Sequence, residues 1–406
     1  LALRACILAD LRKPGAVELT WATAMTTAAH THDIPTPHIA VSATPREAMA
    51  QTAARSEHPY SQLNVVVVVP AYNEERQITD VLNSMPTWVR TVVVVDDAST
   101  DDTGPRVASF ARTNQRIVLI RHKRNAGVGG AMVTGFAKAI QLGAQVVVKM
   151  DADGQMSPEH LAQLIRPLVD GEADYAKGNR FHDFRALGRM PKLRRLGNMV
   201  LSFLTKGAVG YWNIFDPCNG YVAIRGEVLS QIPLHKIGQS FYFETSMLSQ
   251  LYLQGAVVKD VPMPARYGDE KSHLSIPRIV GEFPARLLAS FSKRMVLKHF
   301  VYDFSMCSLY LVAGLPMLLG GTAFGVWKWL SYAQAGVSAP TGTVVIPALL
   351  IILGFQLVLA ATAEDLRSVP RQPLQPEPLD TGPPRQTNSI RRAPRRSVRR
   401  RRSSDV

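Results

Sequence analysis

Four short runs rich in valine and isoleucine lie between residues 63 and 150, and they constrain the fold more than any other feature of the chain. The runs show no alternation of polar and apolar residues, which indicates strands that are covered on both faces. They are Val65–Val69, Thr91–Val95, Arg116–Ile120 and Val146–Met150. Stretches with helical character separate them, so the pattern predicts an α/β domain with a mostly parallel sheet.

The helices that we expect between and after these strands extend the domain to about residue 275. They are Glu74–Met85, Asp101–Thr113, Gly129–Leu142, Pro158–Val169, Lys192–Lys206 and Phe243–Gln254. A further strand is expected at Ala256–Val261, after a short mixed segment near Asp216–Ile224. Residues 1–60 show weak periodicity and no signal-peptide layout, and we interpret them as an irregular extension before an α/β domain of residues 61–275.

Two long uncharged segments follow that domain. Ser305–Trp327 has 23 residues without a charge, and Val344–Ala361 has 18. Eighteen helical residues reach about 27 Å, close to the thickness of a bilayer core. We therefore predict transmembrane helices at 305–330 and 343–363, joined as a hairpin.

A juxtamembrane segment, residues 276–304, precedes the hairpin. It places Phe283, Leu287 and Phe291 at helical spacing among basic residues that include Arg294, which favours an amphipathic helix at a membrane interface over a core helix. Basic residues lie on both outer sides of the hairpin, and only Lys328 lies near its loop. The positive-inside rule then places the α/β domain in the cytoplasm, and we expect a multi-pass protein of a bacterial inner membrane.

The basic net charge comes mostly from the C-terminus. Nine arginines and one aspartate lie between Arg385 and Val406, so this tail contributes +8 of the net charge of +14. We predict that residues 370–406 are disordered, because they contain few apolar residues. A nucleic-acid binder is not favoured, since the rest of the chain is only mildly basic. The three cysteines are far apart, which argues against a disulfide framework or a zinc site.

Polar motifs follow three of the predicted strands. They are PAYNEE at residues 70–75, DDASTDDT at 96–103 and DADGQ at 151–155. In open α/β sheets, ligands bind beyond the carboxyl ends of the strands, so the three motifs are expected to meet at one edge. Carboxylates there could accept hydrogen bonds from a base or a ribose, although Asp96–Asp102 could equally cap the next helix.

Asp151 and Asp153 form the strongest of these motifs. Two carboxylates one residue apart point the same way in an extended chain. Oxygen ligands of this type suit Mg²⁺ or Mn²⁺, with diphosphate oxygens completing the coordination. An Asp-x-Asp pair is common in turns, and its position one strand after the other two motifs strengthens the interpretation.

In this order, and followed by GNR at residues 178–180, the motifs resemble glycosyltransferase family 2, which has the GT-A fold. They are most similar to the polyprenyl-phosphate branch, which includes dolichol-phosphate mannosyltransferases and undecaprenyl-phosphate glucosyltransferases. The resemblance runs from about Val65 to Pro370, and the basic segment and hairpin are part of it.

The resemblance implies roles for individual residues. The nucleotide is lined by Pro70, Ala71, Tyr72 and Glu74, and its base is held by Asp96 or Asp97. The metal motif is formed by Asp151 and Asp153, with Gln155 as a further ligand. Arg180 lies near the sugar or the acceptor phosphate, and Glu244 orients either an active-site loop or the sugar. The segment 266–275 departs from the family pattern, so the choice of phosphate ligand among Arg266, Lys271 and His273 stays open, with Lys271 taken as the candidate.

The implied reaction is metal-dependent, inverting transfer of a hexose from a UDP- or GDP-linked donor to a polyprenyl phosphate. The expected partners are the nucleotide-sugar, the lipid acceptor and the membrane, with no nucleic acid and with a homo-oligomer left open. A basic cluster at Arg185–Arg195 could gather the anionic lipid or could be a solvated face.

Other protein classes fit these motifs less well. A processive polysaccharide synthase usually carries Gln-x-x-Arg-Trp, and no tryptophan here follows an arginine. A nucleotidyltransferase would show a basic, glycine-rich first loop where this chain has the acidic PAYNEE. Two further readings are a family 2 enzyme with an acceptor other than a lipid phosphate, and a non-catalytic membrane or nucleic-acid binder acting through the arginine tail.

Overall fold

A computed structural model describes residues 58–180, 192–240, 242–264 and 276–382, and a seven-stranded mixed sheet forms its centre. The strand order is β3-β2-β1-β4-β6-β5-β7. The strands are β1 Val65–Ala71, β2 Thr91–Asp96, β3 Ile117–Arg121, β4 Val146–Lys149, β5 Tyr175–Asn179, β6 Val222–Arg225 and β7 Val258–Pro262. β6 runs antiparallel to β4 and β5, and the other pairs are parallel, which confirms the mostly parallel sheet.

Helices cover both faces of the sheet. They are α1 Ile78–Asn83, α2 Thr103–Thr113, α3 Gly127–Gln141, α4 Leu161–Val169, α5 Lys192–Val209, α6 Gly226–Gln231 and α7 Phe243–Gln254, with single 3₁₀ turns at Pro158–His160 and Leu234–Lys236. Valines of β1 alternate between the two cores. Val67 packs on one face with Leu164, and Val66 packs on the other with Phe136. The strand sequences show no polar alternation because an apolar core covers each face of the sheet.

The C-terminal helices form a long hairpin. α8 Ile276–Val296 continues through a π-helical turn at Leu297–Tyr302 into α9 Met306–Ala335, and α10 Thr341–Arg367 returns antiparallel to α9. Both α9 and α10 are long and apolar enough to cross a membrane. Gly314 and Gly354 face the partner helix so closely that a Cβ at Gly354 would lie 2.5 Å from Leu318 N. Small residues of this kind allow apolar helices to pack tightly in a membrane.

Arg294, counted among the basic residues of the predicted amphipathic segment, is buried in the structure. It is one of the largest fully buried side chains, and its guanidinium binds the Asp365 carboxylate at 2.5 and 2.9 Å. Trp212 Nε1 donates to the same carboxylate at 3.3 Å, and His299 Nε2 lies 3.1 Å from it. This cluster ties α8 and α10 to the catalytic domain.

The C-terminal strap, residues 369–382, corrects the prediction that disorder begins at residue 370. The backbone N–H groups of Leu374 and Gln375 donate to Asp174 at 2.9 and 3.3 Å. Arg225 Nη1 donates to the carbonyls of Gln375 and Glu377 at 2.5 and 2.9 Å. The strap therefore closes the edge of the sheet opposite the polar motifs. The arginine tail from residue 383 lies outside the described residues.

Candidate active site at the carboxyl edge of the sheet

The loops after β1 and β2 are held together by a lattice of hydrogen bonds. Asn73 N donates to Ser99 Oγ at 3.0 Å, and Glu74 N donates to Thr103 Oγ1 at 2.8 Å. Asn73 and Ala98 have positive φ values of 57° and 61°, a conformation that is uncommon for residues other than glycine and that asparagine adopts more readily than alanine. The loops are therefore preformed. Pro70 and Ala71 are buried at the end of β1, while Tyr72 is 48% exposed beyond it.

Asp96 and Asp97 already have protein partners. Asp96 Oδ1 accepts from Ser99 N at 2.9 Å, and its Oδ2 pairs with Arg121 Nε at 2.9 Å. Asp97 accepts from Ala126 N and Gly127 N at 2.9 and 2.7 Å and contacts His122 Nδ1 at 2.7 Å. A carboxylate can accept further hydrogen bonds, so base binding by either residue stays a prediction. The capping alternative is confirmed in part: Asp101 Oδ1 accepts from the backbone N of Thr103, the first residue of α2, at 3.0 Å. Asp97 instead organises the start of α3.

The DADGQ segment forms a tight turn directly after β4. The strand ends at Lys149, and Gly154 has a positive φ of 71°. Asp153 Oδ1 accepts from Gln155 N at 3.0 Å. Asp151 and Asp153 therefore lie together because the chain turns, and not because it is extended, as the sequence pattern had suggested.

A cavity of about 230 Å³ brings together five of the predicted site residues. Asp151, Asp153 and Gln155 line it from the turn after β4, Arg180 lines it from just after β5, and Glu244 lines it from the first turn of α7. The cavity lies next to the loops after β1 because β4 pairs directly with β1. Its wall is completed by Met156, Ser157, His160, Cys218, Asn219, Gly220, Tyr221, Met263 and Pro264.

Arg180 is held by Asp216, a residue that the sequence analysis did not single out as functional. Arg180 Nε donates to Asp216 Oδ2 at 2.8 Å and Nη2 donates to Oδ1 at 3.3 Å, a bidentate pairing. Asp216 is 1% exposed while the Arg180 side chain is 38% exposed. The guanidinium is thus fixed by a buried carboxylate and presented to the cavity.

Lys149 was also missed, although a lysine two residues before Asp151 in a buried strand shares its side of the strand. Its side chain is 1% exposed, and its Nζ donates to Asp151 Oδ1 at 2.6 Å and lies 3.5 Å from Glu244 Oε1. Burial lowers the pKa of Lys149, but the carboxylates of Asp151 and Glu244 more than offset it, so the net shift is upward. The ammonium is therefore charged at neutral pH.

Several predicted residues cannot be placed. Lys271, Arg266 and His273 lie outside the described residues, as does Arg185. The basic residues of α5 at 192–195 have no described side chains, so a lipid-gathering role for that cluster stays a prediction.

The cavity suits a metal that is shared with a ligand better than a metal held by protein alone. Among the described residues, no group of three or more His, Cys, Asp or Glu side chains could hold an ion. Two carboxylates and an amide leave coordination positions that anionic oxygens can complete, the arrangement that Mg²⁺ adopts with phosphate ligands. The donor set therefore fits a divalent ion bound together with a diphosphate.

An apolar surface lies beside this site. On α5, Met199, Val200, Phe203 and Leu204 are 47–63% exposed, and Phe215, adjacent to Asp216, is 63% exposed. Ser202 Oγ donates to the Phe215 carbonyl at 3.0 Å and fixes that loop against α5. An exposed patch of this kind next to a polar cavity is typical of a contact with an apolar ligand or a membrane.

Comparison with known proteins places the sheet in a described family. Residues 66–232 match the model of "Glycosyl transferase family 2". The chain is 31% identical over 202 residues to a polyprenol monophosphomannose synthase of Mycolicibacterium smegmatis. The alignment covers 49% of this chain and 76% of that protein.

Two further proteins are similar. A UDP-N-acetylglucosamine–dolichyl-phosphate N-acetylglucosaminyltransferase of Methanococcus voltae is 34% identical over 161 residues, which is 36% of this chain and 64% of that enzyme, just under two thirds of its length. A mannosyltransferase of Pyrobaculum calidifontis, solved with GDP-Man and Mn²⁺, superposes with a TM-score of 0.40 at 19% identity, over 79% of this chain and 97% of that one.

Proposed function

Because the chain belongs to glycosyltransferase family 2, we propose that it transfers a hexose from a UDP- or GDP-linked donor to a polyprenyl phosphate at a membrane surface. The observation that carries the proposal is one cavity, at the carboxyl edge of the sheet, lined by Asp151, Asp153, Arg180 and Glu244. The same chain continues into an apolar hairpin. The relatives named for polyprenol and dolichyl phosphate support this acceptor class.

The donor is assigned to the loops after β1 and β2 and to the DADGQ turn. Tyr72 and Glu74 border the nucleotide, and Asp96 or Asp97 is the candidate for the base. Asp151, Asp153 and Gln155 would hold Mg²⁺ or Mn²⁺, which when bound neutralises the charge that develops on the departing diphosphate. A preformed pair of loops reduces the ordering cost of donor binding.

The acceptor is assigned to the Arg180 side of the cavity. A lipid phosphate is already an anion at neutral pH, so it needs cations for positioning and no strong general base. Arg180, fixed by Asp216, is such a cation, and the exposed apolar side chains of α5 and Phe215 offer a surface for the isoprenoid. A phosphate oxygen attacks the anomeric carbon, the bond from that carbon to the diphosphate breaks, and the nucleoside diphosphate leaves.

The membrane orientation is part of the same proposal. Lys293 and Lys298 precede the hairpin, and Lys328 lies close to the Trp327 ring at its far end, 4.4 Å from the centroid. Because Arg294 is buried, the positive charge on the side of the catalytic domain comes from Lys293, Lys298 and the arginine tail. We therefore place that domain on the cytoplasmic side.

The test is a transfer assay on membranes that contain the full chain. Labelled UDP-glucose, GDP-mannose and UDP-N-acetylglucosamine are offered with undecaprenyl phosphate and Mg²⁺. We expect label in an acid-labile lipid from one donor, and its loss with EDTA or in Asp153→Ala. Asp80→Ala, an exposed aspartate on α1, is the matched control and should keep the wild-type rate. Label in a water-soluble glycan instead would overturn the acceptor class, and no transfer from any donor would overturn the reaction.

A further inference from the structure

Lys149 places a buried cation inside the candidate metal site. Its Nζ donates to Asp151 Oδ1 at 2.6 Å and to the Gly220 carbonyl at 3.3 Å, and it lies 3.5 Å from Glu244 Oε1. A methyl group at position 220 would clash with this Nζ, so the glycine leaves the space that the ammonium occupies. The arrangement joins β4 to α7 across the floor of the cavity.

We propose that Lys149 is a resident counter-cation that keeps the metal from binding tightly until the donor diphosphate is present. The inference rests on the proposed metal dependence of the function. Lys149 acts here as a positioning residue, because it works through Asp151 and Glu244 and not on the reacting atoms.

The physical reason is competition for the Asp151 carboxylate. One of its oxygens is taken by the ammonium, and a divalent ion approaching Asp151 meets a positive charge within a few ångströms in a partly buried site. At an effective dielectric constant of about 20, charges about 5 Å apart still interact by several kcal/mol before solvent screening. A diphosphate adds negative charge and restores the balance, so metal and donor should raise each other's affinity.

The neighbouring Lys177 shows that a buried lysine in this sheet does not necessarily form an ion pair with a carboxylate. It is also fully buried, but its Nζ donates to the Asn219 carbonyl, and burial lowers its pKa despite the nearby charges. Within the described part of the chain, no carboxylate lies within ion-pair distance of it. It is therefore a matched buried lysine for comparison.

The experiment measures Mn²⁺ binding by electron paramagnetic resonance on the purified full chain in detergent, without nucleotide. We expect Lys149→Met and Lys149→Gln to lower the Mn²⁺ dissociation constant about tenfold, since a nearby positive charge is removed. Lys149→Arg keeps the charge and should bind Mn²⁺ like the wild type. Lys177→Met should change the constant by a smaller factor. Adding UDP or GDP should tighten Mn²⁺ binding more in the wild type than in Lys149→Met.

Thermal unfolding shows which variants are folded, and Lys149→Gln keeps a hydrogen-bond donor in case Lys149→Met does not fold. Equal or weaker Mn²⁺ binding by the folded neutral variants would overturn the inference. Asp153→Asn separates this failure from that of the proposed function. If Mn²⁺ binding requires Asp153 but does not change when Lys149 is substituted, only the counter-cation role of Lys149 is refuted. If no variant shows Mn²⁺ binding that depends on Asp153, the proposed metal dependence is refuted as well.

Discussion

Two buried clusters in this molecule place a cation against a carboxylate, and they differ in how completely their polar groups are satisfied. At the base of the hairpin, Arg294 and Asp365 are exposed by 1% and 4%. The guanidinium also donates to the carbonyls of Gly207 and Ala208 at 2.9 and 3.3 Å. In the cavity, Lys149 is equally buried, but Asp151 is 29% exposed and Glu244 15%.

The difference separates anchoring from ligand handling. A buried ion pair whose remaining groups are all hydrogen-bonded has no capacity left for a ligand, and breaking it leaves an unpaired charge. A pair with solvent-facing oxygens can exchange partners at low cost. The Arg294 cluster therefore acts as an anchor for the hairpin, and the Lys149 cluster is suited to interact with ligands.

Asp260 supplies a third point of comparison. It accepts from Phe215 N at 2.6 Å, but its Oδ1 is buried without a hydrogen-bond partner. Within the described residues no cation lies within ion-pair distance, and burial raises its pKa to about 6. A carboxylate without a close cation thus becomes pH-sensitive.

The largest effect is expected from Asp365→Ala. Removing this carboxylate leaves the Arg294 guanidinium buried and unpaired, which typically costs about 3–5 kcal/mol. We expect a lower midpoint of thermal unfolding and faster proteolysis at the base of the hairpin. Glu364→Gln, which removes an exposed pair with Arg367, should cost about 0.5 kcal/mol or less. Equal losses in the two variants would contradict the anchoring role.

A smaller effect, on transfer and not on stability, is expected from Glu244→Gln. The amide keeps the shape of the side chain and removes the charge that faces Lys149. Hydrogen bonds to charged groups contribute about 1.5–3 kcal/mol, so we expect the initial rate of transfer to fall about tenfold to a hundredfold. The unfolding midpoint should stay close to that of the wild type. If the midpoint fell as much as in Asp365→Ala while transfer was unaffected, the Lys149 cluster would be an anchor and not a ligand-binding group.

The smallest effect is expected from Asp260→Asn. The folded-state pKa of about 6 lies above the ordinary value of 3.8, so the folded protein binds this proton more tightly than the unfolded chain. Wild-type stability should therefore fall as the pH rises from about 4 to about 6 and then stay level. We expect the variant to lack this decline and to be more stable than the wild type at pH 7.5, because it has no buried charge at this position. Denaturant unfolding across this pH range measures it, and parallel curves for both proteins would show that Asp260 does not titrate as described.

The strands and helices that bury mainly apolar side chains could be predicted from the sequence. Four valine-rich runs became β1 to β4, and the helix predicted at Phe243–Gln254 has those bounds in the structure. The parallel pairing followed from the absence of polar alternation. The apolar helices of the hairpin were equally visible, although each is longer than the uncharged run that indicated it.

The parts that were missed depend on contacts between distant residues. β5 contains Lys177, Gly178 and Asn179 and does not look like a buried strand, yet β6 and β7 pair with both of its sides. α1 begins at Ile78 and not at Glu74, because residues 73–75 are bonded to the loop after β2. In the cavity, Asp216 owes its role to Arg180, which is distant in sequence, so no local pattern identified it. The spacing of Lys149 and Asp151 was visible in the sequence, but the contact of Lys149 with Glu244 on α7 was not.

The strap determines when the catalytic domain can finish folding during synthesis. Asp174 and Arg225 are made early, but their partners at residues 374–377 follow both helices of the hairpin. A ribosome therefore has to release the whole hairpin before this edge of the sheet can close. Because domains form as the chain emerges, completion of the fold comes after the hairpin has emerged. Until then Asp174 and Arg225 lack the hydrogen bonds that the strap supplies.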